Sequence, residues 1–261
     1  PLQLMFFRVT LQFVILLPFF IKDWPAVIKT TRLKDHAWRN IFGVVSMAMW
    51  FYGIAHLPLS NAVTLSFAAP IFTTIIAAIW LHEKVHYHRW IATLIGFAGV
   101  LLVARPDTAG FNWVAMLVIF QALLVAIANF LIKSLTSSES NMTILFYMGV
   151  FMIPLSILPA AYVWVWPSLT AWGWLLLMGG ASGLAHYGLT RAFQLSDASA
   201  LMPLDYLRLP LAIATDMALF AFVPDAYTWA GATTIAASCL YILHRERLHR
   251  RRISDVTSLP R

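Results

Sequence analysis

Three ionisable side chains, Asp205, Arg208 and Asp216, fall within Ala198–Phe222, a stretch otherwise apolar enough to read as a membrane-spanning helix. An ionisable group near the bilayer centre costs at least ~2.5–3.5 kcal/mol, so such residues face a bundle interior or a water-filled cavity and act there. A guanidinium can hold a carboxylate or phosphate through paired hydrogen bonds, which makes Arg208 the first candidate for substrate contact. The competing reading is a structural ion pair with Asp205, three residues away. Asp205 is also a candidate for carrying a coupling proton. Asp216 lies eleven residues further on, which on one continuous helix turns it to within ~20° of Asp205. It reads as a gating residue or as a water-facing one near the outer end.

Four aromatic residues, Trp50, Tyr52, Tyr187 and Tyr206, could wall an apolar pocket and stack on a flat or cationic ligand. Helix packing and interfacial belts compete as explanations. His186, Gln121 and Asn129 are polar positions within spans that line a path or bond between helices, and Arg8 reads as a snorkelling anchor. His82 and His86 have ligand spacing, but they sit at a helix end without further carboxylate or cysteine ligands, so a basic loop is expected and no metal. The single cysteine, Cys239, excludes an intramolecular disulfide framework and reads as a packing residue. No phosphate loop, Gly-x-Ser-x-Gly or His-Glu-x-x-His run occurs, so neither an ATP-driven pump nor a cofactor is expected.

The elements that must position these residues follow from composition. With 61% hydrophobic and 11% charged residues in 261, the chain is neither an ordinary soluble domain nor disordered. Apolar windows of about the ~20 residues that cross a bilayer fall near 3–21, 38–57, 61–81, 88–104, 113–133, 142–163, 171–192, 197–222 and 226–244, nine spans in all. Positive residues alternate between loops: Lys22, Lys29, Arg32, Lys34 and Arg39, then Lys84 and Arg89, then Lys133, then Arg191, then the tail from Arg245, with only Arg105 in the intervening loops. Retention of these groups in the cytoplasm places Pro1 outside and predicts one further helix ahead of it, ten in total.

An internal repeat is visible. Leu59-Ser60-Asn61-Ala62 is echoed by Leu195-Ser196-Asp197-Ala198, and Tyr52-Gly53 by Tyr187-Gly188. Five helices per copy force the second copy to insert upside down, the inverted repeat typical of secondary transporters. The runs Trp50 to Ala62 and on to Pro70, then Glu83, then Gly96 to Pro106 resemble the EamA repeat of the drug/metabolite transporter superfamily. The second copy does so through Leu195 to Ala198, Pro203 to Arg208 and Ser238 to Glu246. The resemblance covers the chain. It departs from the family where His82-Glu83 stands for a Gly-Glu pair, and where the second copy has Ala221-Phe222 instead.

What the resemblance implies is an all-α polytopic membrane protein of two inverted five-helix repeats. The first repeat would be 1–106, lacking its first helix, the second 107–246, and a basic cytoplasmic tail 247–261. The repeat alignment sets Arg208 near Phe72, so the second half would carry most of the substrate chemistry. Function would be secondary transport, export or uptake, of a small zwitterionic or anionic metabolite by alternating access. The chain looks like the subgroup of S-adenosylmethionine and riboflavin carriers. Arg208, Asp205, Tyr206, Trp50, Tyr52, Tyr187 and His186 would contact substrate, while Asp205, Asp216 and Glu83 would couple or gate. An intramembrane enzyme using Asp205 and Asp216 is opposed by their ~16 Å separation along a helix. A non-transporting scaffold leaves the charged stripe unexplained. Expected partners are the small-molecule substrate, the bilayer and anionic lipids at the tail, with no nucleic acid; a homodimer is compatible. The expected location is the inner membrane, multi-pass, with the C-terminus cytoplasmic.

Overall fold

The computed structural model describes residues 2–57, 59–81, 85–104, 113–220 and 225–257, and all regular structure among them is helical. The segments are α1 (Leu2–Lys22), α2 (Trp24–Val27), α3 (Leu33–His56), α4 (Leu59–Ser66), α5 (Ala69–Trp80), α6 (Tyr87–Ala104), α7 (Trp113–Leu135), α8 (Asn141–Tyr162), α9 (Leu169–Leu195), α10 (Ala198–Asp205), α11 (Arg208–Phe220) and α12 (Ala226–Thr257). α4 with α5, and α10 with α11, each fill one predicted span. Together with the short α2, the described residues therefore make the nine expected spans of an all-α polytopic membrane protein. α1, α7 and α8 are individually long and apolar enough to cross a membrane.

Helix starts are written in the sequence. Ser140 and Ser168 accept the backbone N–H of Thr143 and Ala171 at 3.0 and 3.2 Å, and Asp225 accepts from Thr228 at 2.9 Å. Each satisfies a first-turn donor that the helix itself leaves unpaired.

The two breaks are also local in origin. Leu207 donates to Leu204 three residues back, at 3.0 Å, instead of to Pro203. Pro210 has no N–H for the Tyr206 carbonyl, which takes Leu209 at 3.0 Å. The orphaned Pro203 carbonyl then accepts the Cys239 thiol at 3.1 Å, so the lone cysteine closes a gap left by the break. In the first half Ala68 turns back onto Leu65 at 3.1 Å and Pro70 follows at the start of α5. The continuous helix expected over Ala198–Phe222 is therefore two half-helices joined at Tyr206-Leu207, and the single polar stripe does not carry across.

The chain forms two compact units, each taking helices from both sequence halves. One, the 1–56/123–196 unit, packs α1 against α3, α8 and α9. Its core is Val9, Phe20, Val27, Leu145, Phe146, Met148 and Met152. Contact is close enough that a Cβ on Gly149 would lie 2.0 Å from the ring of Phe13. At one end of this unit Arg32 donates to the Ser134 carbonyl at 2.6 Å. Lys133 donates to the carbonyls of Phe193 and Ser196 at 2.7 and 2.6 Å. These cations, expected as orientation signals, also cap helix C-termini.

The other, the 57–122/197–261 unit, packs α12 along α6, with α10 against α5 and α6. Its core is Phe67, Val100, Tyr206, Ile235 and Cys239. Arg89, buried at the start of α6, reaches Asp197 at 3.0 Å and Ser199 at 2.8 Å at the start of α10. Ser238 of α12 donates to the Ala92 carbonyl at 2.6 Å.

Candidate functional site

The break between α10 and α11 puts Asp205 at the C-terminal end of one half-helix and Arg208 at the first position of the next. Their side chains pair at 2.5 Å, with 33% and 65% of each exposed. Arg208 also lies over the Phe67 ring, 5.4 Å from its centroid, within cation–π range. A helix C-terminus carries partial negative charge and an N-terminus partial positive charge. The break therefore offers a negative pole reinforced by Asp205 and a positive pole reinforced by Arg208, separated by two residues. That arrangement can take both charges of a zwitterion once the ion pair opens.

Tyr206, expected to wall a pocket beside this pair, is 0% exposed. Its ring faces Phe67 at 5.7 Å, and its hydroxyl donates to the Phe67 carbonyl at 3.4 Å. A Cβ on Gly96 would lie 2.4 Å from this ring. Tyr206 is a packing residue, because a side chain between two half-helices points into the unit that holds them. The breaks also correct the repeat register: Arg208 opens α11 as Ala69 opens α5, so Ala69 rather than Phe72 is its counterpart.

The remaining candidates lie elsewhere. Asp216 is on α11, but its side chain is outside the described residues, as is Glu83 altogether. Trp50 and Tyr52 lie in the last two turns of α3, where Tyr52 stacks on His56 at 4.0 Å. His186 and Tyr187 lie two-thirds along α9; the His186 ring meets the Ser182 carbonyl at 2.9 Å, and the Tyr187 carbonyl accepts from Asn141 at 3.1 Å. These four belong to the 1–56/123–196 unit, and Asp205, Tyr206 and Arg208 to the other. Gln121 is buried with its carbonyl oxygen unpaired. A cavity of about 490 Å³ opens beside Gln3, Phe7, Trp166 and Trp174, and none of the candidate residues lines it.

Two residues were given lesser roles on sequence grounds. Arg39, counted among the loop cations, is 6% exposed, and Arg8, read as a snorkelling anchor, has its Nε buried without a partner. Their spacing in the chain gives no sign of this, since they sit on different helices.

Comparison with known proteins fits this architecture. The EamA-like transporter family matches residues 1–105. An S-adenosylmethionine uptake transporter of Rickettsia bellii (strain RML369-C) is 30% identical over 245 residues, spanning 94% of this chain and 84% of the relative. A riboflavin transporter of Vibrio cholerae is 30% identical over 231 residues, spanning 88% and 78%. A pseudopaline exporter of Pseudomonas aeruginosa is 27% identical, spanning 77% and 72%. A crystal structure 16% identical in sequence superposes with a TM-score of 0.81 over 95% of this chain and 89% of its own, which speaks to the fold. Near-complete coverage by such relatives, on a bundle with a broken helix in each half, settles the class: the chain belongs to the EamA-like transporters of the drug/metabolite transporter superfamily and moves small metabolites across a membrane.

Proposed function

We propose that the substrate is a small zwitterion of the S-adenosylmethionine type, carried by alternating access. The observation behind this is the accessible Asp205–Arg208 pair at the α10–α11 break, a negative and a positive group set where two half-helix ends meet. A riboflavin-like ligand is uncharged and has no use for both poles. The relatives named for S-adenosylmethionine uptake support the zwitterionic reading over the neutral one. Substrate enters by opening the ion pair, its cationic group facing Asp205 and its carboxylate facing Arg208. Asp205, released from Arg208, is the candidate for proton coupling, with Asp216 and Glu83 as gating residues.

In this reading residues 1–106 and 107–246 are the two inverted repeats, and the tail 247–261 rests on anionic lipid at the cytoplasmic face of the inner membrane. The chain transports without chemical conversion of its cargo. Uptake of labelled S-adenosylmethionine into proteoliposomes, with and without a pH gradient, tests the reading. Saturable uptake that collapses in Arg208→Ala is the expected result. Uptake of riboflavin but not of S-adenosylmethionine would replace it with the neutral-substrate reading.

A further inference from the structure

The 1–56/123–196 unit holds a second polar cluster, and here the charges are not balanced. Gln12 stands midway along α1, a helix long and apolar enough to cross a membrane. It is 3% exposed; its amide points at the Met148 sulfur, 3.7 Å away, and its Oε1 has no partner. One turn along α8, the Met152 sulfur lies 3.9 Å from Nη1 of Arg39. α1 and α8 run antiparallel, as Gln12 against Met148, Phe13 against Gly149 and Gln3 against Val165 just past α8 require. Arg8, one turn before Gln12 on α1, therefore comes level with Met152 and with Arg39. Consistent with this, Arg8 lies within electrostatic reach of Arg39, and both lie within reach of His186.

Among the described residues neither arginine pairs with a carboxylate. Arg39 bonds, among the described residues, only through Nη1, to Asn40 Oδ1 at 2.6 Å and to the thioether. The Nε atoms of both Arg8 and Arg39 are buried and unpaired. The described acids of this unit are Asp23, Asp35 and Glu139. Asp35 is held by Arg32 at 2.7 Å, Glu139 accepts from Thr30 at 2.7 Å, and Asp23 follows the last residue of α1. Thioethers are weak acceptors, so strong donors pointed at sulfur are donors without their proper partner. Arg39, buried with no counter-charge among the described residues, and Arg8, half-buried with its Nε sealed off, are costly unless an anion joins them. Guanidinium donors match the oxygens of carboxylate and phosphate.

We propose that Arg8, Gln12 and Arg39 form an oxyanion subsite in this unit, which takes the carboxylate or phosphate of the transported molecule at a step separate from its contact with Arg208. The proposal rests on the chain carrying a charged metabolite and narrows that class to oxyanion-bearing substrates.

The test compares S-adenosylmethionine with its decarboxylated form, which differs by the carboxylate alone, in proteoliposomes containing wild type, Arg8→Gln or Arg39→Gln. Each variant is first checked for monodisperse elution and a cooperative melt. Wild type is expected to favour the carboxylate-bearing compound by roughly 10- to 100-fold in kcat/KM, the worth of a charged hydrogen bond. Folded variants are expected to lose most of that preference, keeping only the share that Arg208 contributes, while still moving the decarboxylated compound. A folded variant that keeps the preference, or a wild type that shows none, overturns the subsite.

A second measurement does not depend on flux or on the variants folding. The melting temperature of wild type is compared in sodium phosphate, sodium acetate and sodium chloride at equal ionic strength. A rise of several degrees in phosphate or acetate supports the subsite, and whichever anion gives the larger rise identifies the group it takes; equal melting in all three overturns it. A wild type that transports neither compound fails the S-adenosylmethionine reading alone, and the melting comparison then decides the subsite.

Discussion

Arg208 and Arg39 are both guanidiniums on spans expected from the sequence, and the fold treats them oppositely. Arg208 is accessible and meets a carboxylate three residues away, across a break in its own span. Arg39 is buried and meets an amide oxygen and a sulfur. A charge neutralised by its own backbone neighbour can be released and restored by local motion, as a gate requires. A charge left bare inside a packed bundle waits for something from outside. On the proposed reading the contrast makes the Asp205–Arg208 pair a switch and Arg39 part of a receptor.

Tyr206→Ala should give the largest effect. It empties the centre of one core and costs about 3–5 kcal/mol, as buried aromatic truncations do, read as a lower melting temperature in detergent. A ring that only walled a pocket would leave melting alone and raise KM, which would blur the line between the pair and its packing support. Arg208→Ala should lower kcat/KM for the zwitterion roughly 10- to 100-fold with little change in melting, since the side chain is largely exposed. Adding Asp205→Ala to that variant should cost little more, because both act as one unit. Full flux in the folded single variant would remove Arg208 from the site.

Arg39→Met sharpens the other side. Replacing an uncompensated buried cation by an apolar side chain should raise stability by about 1–2 kcal/mol in oxyanion-free buffer. A lower melting temperature would mean that Arg39 already has a counter-charge. The smallest change is expected for Asp205→Ala, within about 1 kcal/mol of wild type and shrinking with added salt, as for exposed ion pairs.

Much of the fold was legible because hydrophobic length and turn residues are local signals. The nine spans and the duplicated Leu-Ser-Asn/Asp-Ala runs all lie within short windows. Asp205 and Arg208 were legible for the same reason. The break between them was not read, although Pro203 and Pro210 mark it, because apolarity over Ala198–Phe222 is uninterrupted enough to suggest one helix. Arg8 and Arg39 were missed for a different reason. They stand 31 residues apart, and only the packing of α1 and α3 on α8 brings their helices together. Tyr206 was misplaced because adjacency in sequence says nothing about which way a side chain turns at a break.

The fit of Tyr206 between the Phe67 ring and bare Gly96 has a consequence for how the two halves of the chain depend on each other. The first half is moulded around a side chain that it does not contain. On its own it would present a phenol-sized vacancy where its helices should close, and the Phe67 carbonyl would lose its hydroxyl donor at a depth where water is scarce. By the register set above the counterpart of Tyr206 is Phe67, so a second copy of the first half in place of the second would return a ring of the same shape without the hydroxyl that the Phe67 carbonyl accepts.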